Sequence, residues 1–281
     1  KSTLIKRIME QLVIPNIDDP YEAERARDEL PQSGSGKTIM TSEPKFVPEH
    51  AVEISPDGTA KLRIRMIDSV GYMVEGAMGA QEDGAPRMVT TPGFDYEIPM
   101  TQAAELGTKK VMEEHCSIGL VVTTDGTITD IPRQDYVEAE GRAIRDMQAT
   151  GKPFVVILNT PRPEAAPAQE AAQYIRSTYG VPVMVADCQA MEVEDICGIL
   201  QDLLYAFPMQ QLNIYMPRWI GALDAQHPVK SMLYSALREQ TANIHALSQA
   251  ETALSQLSQL EQVVGASVTS VDLGTGAVCC T

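Results

Sequence analysis

The sequence predicts an α/β protein: a mostly parallel, doubly wound sheet carrying one antiparallel strand, followed by part of a second, α+β domain. Three observations predict it. Lys1-Ser2-Thr3 heads an amphipathic helical stretch, and a hairpin strand ends in Asp68-Ser-Val-Gly71. Between residues 101 and 207, short apolar strands alternate with helical stretches, the pattern of crossover-connected parallel strands.

The first helix is carried by apolar residues at 4, 5, 8, 9 and 12, which follow the helical period. Lys1 and Ser2 at its first turn match the end of the phosphate-binding loop G-x-x-x-x-G-K-[ST]. Free N–H groups at a helix N-terminus favour anions. In that reading Lys1 reaches the outer phosphates, Ser2 ligates Mg²⁺, and Thr3 completes the nucleotide-binding turn. The consensus glycines would precede Lys1, so a strand and a glycine loop are expected upstream, together with any targeting segment.

Gly34-Ser35-Gly36-Lys37-Thr38 imitates the same loop. Its first consensus glycine would fall at Pro31, and Pro44 and Pro48 follow closely, so no helix begins there. The stretch reads instead as a polar loop crossing the nucleotide site. Its threonines, Thr38 and especially Thr41, supply hydroxyls for metal or terminal phosphate, and Lys37 is a candidate phosphate donor. Loops ordered by a terminal phosphate and its metal are one known switch design.

Residues 51–54 and 60–67 alternate on either side of Ser55-Pro56-Asp57-Gly58-Thr59, a hairpin signal. The second run ends at Asp68. An acid at the carboxyl end of such a strand sits where open α/β sheets bind ligands. It suits Mg²⁺, a hard cation that keeps several of its waters. Gly71 lets a bare backbone N–H approach a phosphate. An antiparallel strand just before Asp-x-x-Gly matches, by fold analogy, the translation-factor and Ras-like branch of P-loop NTPases. Tyr72, not glutamine, follows Gly71, so no water-orienting side chain is evident there.

The stretch 72–99 reads as a long loop, with Arg87 a second candidate phosphate donor. A helix is expected over 101–115 with Thr101 as its cap, then a strand at 118–122. A helix over 135–150 closes at Gly151. A strand at 154–158 ends at Asn159, a helix fills 164–179, a strand 182–186 and a helix 192–207. The domain boundary is placed at 208/209, giving a phosphate-loop domain over 1–208 and the start of a second domain over 209–281. There, 211–216 reads as an exposed strand, 229–264 as one long helix, and the tail from 266 as β-like chain that stops without closure.

Among 281 residues, 44% are hydrophobic and 21% charged, and the net charge is −16. That balance argues against nucleic-acid binding, whose affinity comes from neutralised phosphates. The five cysteines are scattered and odd in number, as in a reduced compartment. No apolar run of about 18 residues is present to cross a membrane. The histidines stand singly, which makes them poor metal ligands.

A base-reading element is expected at the end of a late strand. Asn159-Thr160-Pro161-Arg162 holds that place, with the asparagine of Asn-Lys-x-Asp but neither its lysine nor its aspartate. Without that acid, guanine's donors lose their acceptor, and an unpaired buried donor costs about 1–3 kcal/mol. ATP is therefore expected in place of GTP.

The strings Asp28-Glu-Leu-Pro-Gln-Ser33, Gly36-Lys-Thr-Ile-Met-Thr41, Glu43-Pro-Lys-Phe-Val-Pro48, Gly126-Thr-Ile and the Asn159 strand resemble the stage IV sporulation protein A family. The resemblance covers most of residues 1–208 and, more weakly, the remainder. It implies a morphogenetic ATPase that uses ATP and Mg²⁺ and polymerises into the base layer of the spore coat. It makes Lys1 the phosphate-loop lysine, Asp68 the magnesium acid, and Thr41 a nucleotide sensor beside Ser42, where the family is expected to carry threonine. It also implies a mother-cell cytoplasmic protein, peripheral on the outer forespore membrane. Its partners would be other copies of itself, a small amphipathic membrane-binding protein and other coat morphogenetic proteins. The competing readings are a translation-factor-like GTPase and a non-hydrolysing structural protein with a vestigial nucleotide site.

Overall fold

The computed structural model of the protein describes residues 1–31, 44–54, 62–77, 81–82, 85–91, 95–205, 209–242, 244, 247–272 and 277–281. The chain divides into two compact units, one of Lys1–Ser55 with Lys61–Cys197, the other of Gly198–Thr281 with Pro56–Ala60.

In the first unit, helix α1 (Ser2–Ile8) buries Leu4, Ile5 and Ile8. A π turn over Met9–Val13 carries the same face onward through Met9, Leu12 and Val13. Pro15 lies in the 3-10 turn Ile14–Asn16 that ends the segment. Helix α2 (Pro20–Asp28) follows; Asp19 caps it by accepting the Tyr21 N–H at 2.8 Å, and proline stands in its first turn.

Strand β1 (Lys45–Ile54) runs antiparallel to β2 (Leu62–Asp68). Lys45 to Val47 face Asp68 to Met66, and the register slips between Val47 and Val52. Pro48, with no N–H to give the ladder, stands at the start of that bulge. β2 exposes alternate residues and then sinks, so that Asp68 is 1% exposed.

Two short ladders follow, β3 (Gln81–Glu82) with β4 (Ala85–Pro86), and β5 (Met88–Val89) with β6 (Ile98–Pro99). Helix α3 (Met100–Lys110) starts one residue earlier than expected, and Thr101 is not its cap. Pro99 holds the N-cap position, and the Met100 N–H is satisfied by the Arg87 carbonyl at 2.8 Å.

The sheet of this unit is parallel: β7 (Gly119–Thr124), β8 (Phe154–Asn159) and β9 (Val183–Ala186), in that order. Helix α4 (Arg133–Ala149) joins the first two and α5 (Ala166–Tyr179) the last two. Gly151 and Gly180 take the left-handed conformation that ends each helix. Val121, Ile144, Met147, Val156, Leu158, Ala172 and Ile175 form the core between sheet and helices. Among the described residues, the β1–β2 ladder makes no strand pairing with this sheet. The architecture of the described residues is thus mixed α/β with a three-stranded parallel sheet, to which the Asp68 strand is not paired. Helix α6 (Val193–Tyr205) ends this run of alternating elements.

In the second unit, β10 (Gln211–Ile214) is parallel to β12 (Ala277–Cys280), and β11 (Val268–Asp272) is antiparallel to it. The tail is therefore the central strand of a sheet, and Thr281 exchanges two backbone hydrogen bonds with Ser267. A short helix α7 (Arg218–Ala222) precedes α8 (Pro228–Thr241) and α9 (Leu247–Leu257). The single long helix expected over 229–264 is in fact these two. The Thr241 hydroxyl bonds the Leu237 carbonyl at 2.8 Å, and the Ser258 hydroxyl bonds that of Leu254 at 3.0 Å. Such back-bonding weakens the helical ladder near both ends. Leu237, Leu254, Leu257, Val278 and Cys280 make this unit's own core. Among the described residues no helix is long and apolar enough to cross a membrane.

Candidate functional site

β2 and α1 bring their ends together. The Lys1 ammonium stands 2.8 Å from Oδ1 of Asp68, and the Ser2 hydroxyl donates to Oδ2 at 2.8 Å. Lys1 Nζ also donates to the Ser69 carbonyl and, at 3.4 Å, to that of Val70. Asp68 is sealed from water, yet its Oδ1 forms no directed hydrogen bond among the described residues. Its contact with Lys1 is electrostatic. An ionised carboxylate taken out of water must be compensated by charge and hydrogen bonds; here a cation and a hydroxyl do this from one helix turn.

This donor set fits a hard divalent cation. It offers a carboxylate oxygen with a free lone pair and a hydroxyl oxygen 2.8 Å from its neighbour. No group of three or more His, Cys, Asp or Glu side chains gathers among the described residues, this site included. Thr3 lies in the same first turn of α1.

Gly71 adopts φ +89°, and a Cβ there would meet no atom within 4 Å. Its N–H is not free: it donates at 2.9 Å to the hydroxyl of Thr108, a buried residue of α3. Tyr72 is docked just as firmly. Its hydroxyl donates to Asp146 of α4, and the Arg142 guanidinium lies 5.3 Å from its ring centre. Burial first, and then the Asp146 carboxylate, push the Tyr72 phenol above its ordinary value. Lys109 pairs with the same carboxylate at 3.3 Å. Nothing in the spacing of Thr108 or Asp146 distinguishes them from other polar helix residues, so no local pattern marks either.

Asn159 ends β8, and its side-chain oxygen accepts the Cys188 N–H at 2.9 Å, pinning the turn after β9. That turn is held a second time by the Thr160 N–H on the Ala186 carbonyl at 3.0 Å. Asn159 therefore braces two strand ends in this structure instead of presenting its amide to a base. Cys188 is buried, and burial pushes its thiol up to about 11. In the turn after β7, Asp125 accepts from Thr160 at 2.7 Å and from the Thr127 N–H at 3.0 Å. Burial alone would raise the Asp125 carboxyl, but the hydrogen bonds from Thr127, Thr160 and Thr124 outweigh it and hold the group below its ordinary value.

Of the other expected site residues, Lys37, Thr38, Thr41 and Ser42 lie outside the described residues. Arg87 is exposed, and no contact joins it to the Lys1–Asp68 cluster among the described residues.

A parallel α/β unit with a lysine and a serine at a helix head, both meeting a strand-end aspartate, is the architecture of an ATPase-type domain. Residues 1–208 match the family model "Stage IV sporulation protein A, ATPase domain", and residues 209–281 match "Stage IV sporulation protein A, middle domain". The chain belongs to the stage IV sporulation protein A family. It is 43% identical over 278 residues to stage IV sporulation protein A of Clostridioides difficile (strain 630), covering 99% of this chain and 57% of that protein. The Bacillus anthracis protein of the same name is 41% identical over 276 residues, covering 98% of this chain and 56% of that protein. For Bacillus subtilis (strain 168) the identity is 40% over 276 residues, with the same coverage of 98% and 56%. The chain thus spans little more than half the length of these curated relatives.

Proposed function

We propose that this chain binds and hydrolyses ATP with Mg²⁺, and that the protein serves in sporulation, where hydrolysis drives its self-assembly into the basement layer of the spore coat. The observation that carries the proposal is the meeting of Lys1, Ser2 and Asp68, with one buried carboxylate oxygen left without a hydrogen bond. The family match, ATPase domain first and middle domain second, supports it.

Asp68 and Ser2 are the residues that would hold magnesium, which draws charge from the phosphate oxygens when bound. Lys1 then exchanges its carbonyl partners for the outer phosphates. The chain's contribution is to position charge in a site poor in water, where each interaction is stronger than in solution. In this proposal Thr41 joins Ser2 and Asp68 as a residue that would hold the metal, and Thr41 with Ser42 senses the terminal phosphate; Thr38 belongs to the same loop. Tyr72, docked on α4, stands where a water-orienting glutamine would follow Gly71. Slow turnover by an isolated chain, or help from a neighbouring copy in the polymer, follows.

Asn159 braces Cys188, and Arg162 stands where the aspartate of Asn-Lys-x-Asp would be, so ATP is preferred over GTP. The protein acts in the mother-cell cytoplasm and on the outer forespore membrane, reached through a small amphipathic membrane-binding protein and joined by other coat morphogenetic proteins. Competition of labelled ATP by unlabelled GTP, with phosphate release followed over hours, tests the proposal. Weak competition with steady release is the expected result. Equal competition would point to a GTPase, and no release to a structural protein with a vestigial site.

A further inference from the structure

We infer that Thr108 is a positioning residue that restrains the preference for a nucleoside triphosphate over a diphosphate. The inference rests on the reading of Lys1, Ser2 and Asp68 as a nucleotide site. Its ground is one contact: the Gly71 N–H, the donor that a terminal phosphate would need, is already spent on the Thr108 hydroxyl at 2.9 Å. Thr108 is 3% exposed and fixed on α3, so its oxygen cannot swing out to water.

The loop from Ser69 to Tyr72 is held at three points. Lys1 grips the carbonyls of Ser69 and Val70, Thr108 grips the Gly71 N–H, and Asp146 grips the Tyr72 hydroxyl. A diphosphate competes only for Lys1. A triphosphate must also take the Gly71 N–H from Thr108. The hydroxyl therefore opposes the terminal phosphate, and it couples arrival of that phosphate to α3. Gly71 suits such an exchange, because at φ +89° its backbone has no neighbour within 4 Å on the Cβ side.

The test compares full-length wild type with Thr108→Val, which keeps the buried shape, and Thr108→Ser, which keeps the hydroxyl. Dissociation constants are measured with Mg²⁺ for ADP and for a non-hydrolysable ATP analogue. Valine is expected to tighten the analogue relative to ADP by roughly fivefold, the worth of one freed hydrogen bond, while serine stays at the wild-type ratio. A merely structural role would weaken both nucleotides alike, and that result, or an unchanged ratio in the valine protein, overturns the inference. Should the valine protein not fold, the Gly71 amide resonance of the wild type decides. The analogue is expected to shift it and ADP to leave it in place; an equal response to both overturns the inference. If wild type binds neither nucleotide, the nucleotide-site reading fails and this inference falls with it.

Discussion

The hydroxyl of Thr160 donates to Asp125 at 2.7 Å and so ties the turn after β8 to the turn after β7. Asp125 also receives the Thr127 N–H, and its carboxyl is held below the usual value of 3.8 by these bonds against the opposing effect of burial. A group whose folded pKa lies below its unfolded one stabilises the protein above the unfolded value. That contribution fades as pH falls through the folded value. Urea unfolding of wild type and Asp125→Asn is expected to show a stability gap at neutral pH. The gap closes as pH falls through 3.8 and below. A constant gap would show that the hydrogen bonds to Asp125 do not favour its charged form.

Arg133 and Glu140 form a two-point pair inside α4, at 2.8 and 2.7 Å, with the Glu140 side chain 1% exposed. Glu140→Ala strands a guanidinium that is itself only 20% exposed. The expected loss is about 3 kcal/mol in denaturant unfolding. Replacing both residues by leucine should recover much of it, since a buried pair is weaker than apolar packing of the same shape.

Two left-handed glycines separate strain from crowding. Gly126 has φ +88°, and a Cβ there would lie 2.8 Å from the Arg133 backbone nitrogen. Gly71 has nearly the same φ and open space. Gly71→Ala is expected to cost about 1 kcal/mol of stability, the strain alone, and Gly126→Ala at least twice that. Thermal unfolding of the two variants measures the difference. Equal losses would mean that the turn after β7 yields easily.

Much of this fold could be read from the residues, and the parts that could not have physical causes. The strands at Leu120 and Val156 announce themselves by continuous apolar runs, and their helices by period and by glycine ends at 151 and 180. The single helix expected across Thr241 was a false reading, because the apolar period continues where a threonine bonds back to its own helix. Helix α2 carries the Asp19-Pro20 start signal but little apolar surface to advertise a face. At the site, Lys1, Ser2 and Asp68 stand in a recognisable order along the chain, and the structure puts their side chains in contact. Thr108, Asp146 and the Asn159–Cys188 brace depend on long-range contacts that no local spacing encodes.

Cys188 supplies a chemical check on the same corner of the fold. It is 1% exposed, and its thiol is pushed up to about 11. At pH 8 little thiolate forms and little reagent reaches it. Mass spectrometry after brief iodoacetamide treatment is expected to find Cys188 unmodified in native protein and modified once the protein is unfolded. Rapid labelling of the native protein would place the β9 turn in solvent and break the account of the Asn159 brace.

The central claim is that Lys1 and Asp68 serve one triphosphate. Its most direct measurement is Mg²⁺-dependent phosphate release from ATP by wild type and Asp68→Ala, with folding of both confirmed by circular dichroism. The account predicts slow but measurable release by wild type and a loss on the order of a hundredfold or more in the variant. Undiminished hydrolysis by a folded Asp68→Ala protein would contradict it.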